Sequence, residues 1–230
     1  MKEIIMEKIL SYLRQKENYE VENESKIGGF DFGFNQSDKY KSFGFNLRRY
    51  PRSLKCSHFN AGITFYAIEN ILTPILVTHE LIGRFTKPKD RWTIGIGQHY
   101  SMNLGLSYKT ESKLPFIIEN EEDIGNFVKL CIEYYEEEAK TFFNYWTDIE
   151  QFVPIIEEMT LMELIYFFGL GGRLKKAIIW KLTSHPDYDN YFEILMQDFY
   201  KSAALNPKES NHKKFINAAI ELREVLKSFP

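Results

Sequence analysis

A chain of 230 residues with 44% apolar and 16% aromatic residues has ample material for a packed core, which excludes a disordered chain. Its formal net charge of -3 gives no global reason for nucleic-acid binding. No apolar run reaches the roughly 18 residues of a membrane span, and the start Met-Lys-Glu-Ile-Ile-Met-Glu-Lys carries acids unlike a signal peptide, so the expectation is a cytoplasmic chain without a membrane partner.

The first predicted element is a helix over residues 2–18, with Ile5, Ile9, Tyr12 and Leu13 on one face. Three strands follow, over residues 26–34, 41–50 and 54–67. Each alternates large apolar residues with small polar ones: Phe30, Phe32 and Phe34 against Gly29, Asp31 and Gly33; Phe43, Phe45 and Leu47 against Gly44, Asn46 and Arg48; Phe59, Ala61 and Ile63 against His58, Asn60, Gly62 and Thr64. A period of two marks an antiparallel sheet with one buried face, and glycine on the other face suggests a close backbone approach there. Thr73-Pro74 reads as the cap and first position of a short helix to residue 82. Residues 91–97 and 101–108 read as a second strand pair, with His99 in its turn. Residues 114–119 read as a short edge strand.

Everything after Asn120 reads helical. Asn120 with Asp123 and Thr160 with Glu163 are capping boxes. A long stripe runs from Ile124 to Ile149, a helix ends at the glycines of residues 169–172, and three further helices follow, the last from residues 206–209. Strands first and helices second give an α+β fold class: an antiparallel sheet of about five to six strands with an N-terminal helix, then a C-terminal helical region. The expected organisation is a sheet domain over residues 1–158 and a helical subdomain over 159–230 packed on it.

Charge is uneven. Residues 1–118 hold 17 Lys and Arg against 12 Asp and Glu, residues 119–165 hold 2 against 13, and residues 166–230 hold 10 against 7. Glu133, Glu136 and Glu137, with Glu138, lie largely opposite their helix's apolar stripe. They read as a solvated face or as an acidic surface steering a basic partner.

Other constellations carry less. Cys56, His58 and Asn60 share a strand face in this reading, with His79, Glu80 and His99 elsewhere, but the spacing matches no metal signature. No catalytic constellation, metal site or cofactor is expected. The two cysteines, Cys56 and Cys131, lack a CxxC partner and fit a reducing compartment. Residues 169–173 with Lys175 and Lys176 lack the strand and the Ser or Thr of a P-loop, and read as a helix C-cap with a solvated basic turn. Arg48, Arg49, Tyr50, Arg52 and Lys55 form a basic hairpin tip, either solubilising or phosphate-directed.

Phe59-Asn60-Ala61-Gly62-Ile63, Arg91-Trp92 and the capped acidic helix from Asn120 to Trp146 resemble a family of uncharacterised bacterial α+β domains. Some of its members look like immunity proteins of polymorphic toxin systems. That resemblance covers about residues 1–158 and implies a stoichiometric protein inhibitor without catalysis.

The leading expectation is a non-catalytic protein-binding module with a basic partner. Glu133, Glu136 and Glu137 would steer it, with the strand face around Asn46, Arg48, His58 and Asn60 as the alternative contact. A second expectation is a small-molecule binder or unrecognised enzyme using Asn46, His58, Asn60 and Thr64. RNA binding through the basic tip is the third.

Overall fold

A computed structural model describes residues 1–17, 19–24, 29–101 and 109–229. In chain order the elements are α1 (Lys2–Arg14), β1 (Glu20–Glu24), β2 (Gly29–Asn35), β3 (Lys39–Arg49), β4 (Leu54–Phe65), α2 (Tyr66–Thr78), β5 (Ile94–Gly95), α3 (Ile96–Ser101), β6 (Phe116–Ile118), α4 (Glu121–Tyr134), α5 (Lys140–Tyr145), α6 (Val153–Ile156), α7 (Leu161–Phe168), α8 (Gly172–Leu182), α9 (Tyr188–Leu205) and α10 (Ser210–Leu226). This is the α+β class expected. Among the described residues, no helix is long and apolar enough to cross a membrane. The chain divides into two compact units, Met1–Ile63 with Ile94–Trp146 and Thr64–Thr93 with Thr147–Pro230. The boundary expected at residue 158 falls inside the second unit.

The first unit is built on the sheet, in order β1-β2-β3-β4-β5, with β6 paired to the opposite end of β4 from β5. Alternation fixes its register: Phe30 faces Phe45, Asp31 faces Gly44 and Phe32 faces Phe43. The apolar face is an aromatic layer. Phe45 meets Phe127 edge-on at 5.3 Å, and Phe59 stacks on Tyr134 at 4.7 Å, which docks α4 on the sheet. Between α4 and α5 the helix widens into a π turn over Tyr135–Ala139, which lets the consecutive Tyr134 and Tyr135 both bury.

Several expectations are corrected. The strand over residues 91–97 is only Ile94–Gly95, and Ile96–Ser101 is helical, so His99 sits on a helix and not in a hairpin turn. It is 1% exposed, and its Nδ1 accepts from the Trp146 indole at 2.9 Å, which makes it a core histidine. The expected strand residues 102–108 and strand start 26–28 lie outside the described residues. Thr73-Pro74 is no helix start but lies inside α2. An interior proline costs about 3 kcal/mol. Burial of Ile68, Leu72, Ile75 and Leu76 keeps α2 continuous through it. Cys56 is buried, whereas Ser57 and His58 are both exposed. The strand slips phase there, as a bulge does, so Cys56 points away from His58 and Asn60. Glu138 is buried rather than solvated, accepting from Thr110 N at 2.9 Å and its hydroxyl at 2.7 Å. β1 had no forecast.

The second unit is organised by a fully buried carboxylate in the first turn of α2. Glu69 accepts from Lys175 Nζ at 2.7 Å, Arg91 Nε at 3.1 Å, Thr73 Oγ1 at 3.2 Å and Thr93 Oγ1 at 3.3 Å. Lys175 spends its remaining donors on Trp92 O at 2.9 Å and Thr93 O at 3.4 Å, while Arg91 Nη2 reaches Leu170 O at 2.8 Å. Burial pulls the Lys175 amine down from its ordinary range, and Glu69 beside it pulls it back up. The basic turn after the glycines is therefore interior: Lys175 is 0% and Lys176 2% exposed. Gly169 closes α7 as a C-cap at φ 71°, and Gly171 turns into α8 at φ 83°. A Cβ on Gly172 would stand 2.1 Å from Leu164 O, so the glycines serve close helix packing.

Removing one member of this cluster leaves a buried charge unpaired. Lys175→Met is expected to cost about 3–5 kcal/mol in urea unfolding, and the Glu69→Gln/Lys175→Met double variant much less than the sum of its singles.

Candidate functional site

The acidic helix face is electrostatically spent. Glu133 is ion-paired with Lys113, and Glu137 lies 3.2 Å from Lys109 Nζ. Glu136 accepts from the Tyr12 hydroxyl at 2.6 Å and pairs with Lys140 at 3.0 Å and Lys16 at 4.0 Å. The Tyr12 hydrogen bond and then the two lysines hold the Glu136 carboxyl below its usual range, and burial with Glu136 alongside pushes the Tyr12 phenol up to about 12. Each such surface pair contributes only about 0–1 kcal/mol, but together the lysines offset the charge of the three carboxylates.

The small-residue strand face is filled by its own side chains. A Cβ on Gly44 would lie 2.2 Å from Asp31 Oδ1, 2.5 Å from Phe30 O and 2.8 Å from Asn60 Oδ1. Asp31 and Asn60 therefore lie across the glycine from β2 and β4. The Oδ1 atoms of Asn46 and Asn60 are buried without a donor among the described residues. Burial raises the Asp31 carboxyl above its ordinary range. His58 and Arg48 are exposed. Thr64 belongs to the second unit, where its hydroxyl donates to Arg91 O at 2.8 Å. The face does bring Asn46, Asn60 and Asp31 to neighbouring strands.

The basic hairpin tip is different. The β3–β4 turn closes with Tyr50 N donating to Ser53 O at 2.9 Å. α1 buries Ile5, Ile9 and Leu13 and leaves its first turn beside this tip. Residues 1–3 and 49–54 line a cleft of about 510 Å³. Lys2, Arg49 and Arg52 face it, against the single acid Glu3. None of the three cations makes an ion pair among the described residues. Residues 39–68 contain six Lys or Arg and no Asp or Glu, so no local carboxylate competes. The half-exposed Tyr50 ring and Leu54 add an apolar wall. Sequence reading found Arg49, Tyr50 and Arg52 but missed Lys2, which only the fold brings to them. The arrangement supplies charge and hydrogen-bond donors suited to carboxylate or phosphate oxygens.

Two variants probe this unit. Gly44→Ala should cost about 1–3 kcal/mol in thermal or urea unfolding, because its Cβ meets backbone as well as side chain. Asp31→Asn should raise the melting temperature at neutral pH. A carboxyl raised in the folded state stabilises fully below its unfolded pKa near 3.8 and loses that contribution as pH rises through the folded value, so the gain should vanish in acid.

Comparison of the chain with protein-family models, with curated proteins and with solved structures gives no match.

Proposed function

We propose that this chain is a non-catalytic binding module whose contact surface is the basic cleft at the β3–β4 tip, and whose partner is a protein presenting an acidic segment. The observation that carries the reading is the contrast in charge compensation. Glu133, Glu136 and Glu137 are paired within the unit, whereas Lys2, Arg49 and Arg52 share one cleft with no ion pair among the described residues. Unspent charge is what a partner meets, so the polarity favours an acidic partner over the basic one read from the sequence. Nucleic acid fits less well. The first unit as a whole holds 15 Lys and Arg against 17 Asp and Glu, and a long polyanion needs phosphate contacts along an extended basic surface. Stoichiometric inhibition of a toxin, as in immunity proteins, is one form such binding takes, and it rests on the sequence resemblance.

Fluorescence anisotropy with a labelled hexaglutamate peptide tests the site. Binding at low salt should weaken about tenfold in Arg49→Glu/Arg52→Glu and stay unchanged in Glu137→Lys. Equal binding by the wild type and the arginine double variant, or tighter binding of a single-stranded oligonucleotide of equal charge, would sink the proposal.

A further inference from the structure

The second unit holds a separate cavity of about 350 Å³, bounded by residues 157–161, α8 and the start of α9. We propose that it binds a small zwitterion, a free α-amino acid with an apolar side chain. Two of its most buried lining residues carry hydrogen-bond donors. Lys176 is 2% exposed, and its ammonium donates to Ile156 O at 2.6 Å and Glu157 O at 3.0 Å, which leaves a third N–H. Trp180 is 5% exposed, and its indole Nε1 is buried with no acceptor among the described residues. The ring is held rigidly: it stacks on His185 at 3.9 Å and 8°, and Lys176 Nζ lies 4.3 Å from its centroid. A buried donor without an acceptor is costly, and a carboxylate entering beside it recovers the loss.

The mouth has the opposite character. Glu157 and Asp187 are exposed carboxylates on the lining. Asp187 occupies the N-cap of α9, yet its side chain makes no capping bond and stays available. Met159, Leu161 and Ile194 supply apolar wall. A simple anion would meet the acidic mouth, and a simple cation would meet Lys176. A molecule with carboxylate inward, ammonium outward and an apolar side chain on the wall satisfies all three surfaces, and the volume suits one amino acid.

Calorimetry and thermal shift on the full chain decide this with leucine, methionine and phenylalanine as probes. Leucinamide, which lacks the carboxylate, and 4-methylpentanoate, which lacks the ammonium, are the controls. At least one amino acid should bind and raise the melting temperature, with both leucine controls at least about tenfold weaker than leucine where leucine binds. Trp180→Phe keeps the ring and deletes the donor. It should lower affinity about tenfold, measured on the folded variant whatever the smaller ring costs the melting temperature. Asp187→Asn, on an exposed side chain, should weaken binding without unfolding the chain. No binding by any of the three amino acids, equal binding of leucine and leucinamide, or wild-type affinity in both variants would overturn the proposal.

Discussion

A carboxylate that has left water entirely must have every acceptor site filled, and Glu69 imposes that demand on the second unit. Its four partners come from α2 itself, from residues 91–93 and from α8. The cluster therefore fixes the place of α8 against α2, and with it the Leu170 carbonyl that Arg91 reaches. A glycine serves the same junction. Gly171 enters α8 at φ 83°, where L side chains are strained, and its missing Cβ leaves Leu72 and Leu76 close to the backbone, at 3.2 and 3.4 Å from where it would stand. Apolar burial supplies most of the stability of such a unit, but the ion cluster decides which apolar packing is allowed.

What the sequence revealed and what it hid divide along sequence distance. Alternating strands and the capping boxes at Asn120 and Thr160 were legible because their signals lie within a few residues, and the structure keeps both boxes. Pro74 misled because a local rule met tertiary packing and lost. β1 carries three glutamates in five residues and offers no apolar alternation, so only its pairing with β2 makes it a strand. Lys175 reads as a surface residue until Glu69, more than a hundred positions earlier, is placed beside it. The cleft shows the same limit. Its arginines were visible as a tip, but their meeting with Lys2 depends on how α1 docks.

Charge shows why counting along a chain misleads. The acidic block of residues 119–165 dominates any linear tally, yet its most prominent carboxylates face lysines from the turn after α1, from residues 109–113 and from the next helical turn. The basic hairpin, inconspicuous in the total, keeps its charge because no acid lies near it in sequence and Glu3 is the one acid among the described residues lining the cleft. Recognition depends on this residual field rather than on net charge.

The π turn over Tyr135–Ala139 has a consequence for how this chain tolerates change in length. A π turn holds one residue more than the α geometry it interrupts, and each α-helical residue advances the helix by about 100°. Because the wide turn takes up that extra residue within one revolution, losing a single residue from it would restore a regular helix and leave everything beyond it facing nearly as before. Phe142, Phe143 and Trp146 would stay in the core, whereas the joint burial of the consecutive Tyr134 and Tyr135 would be lost. A second deletion, or an insertion in the regular turns on either side, would instead swing the whole aromatic face of α5 by about 100°, so the segment has room for the loss of one residue and no more.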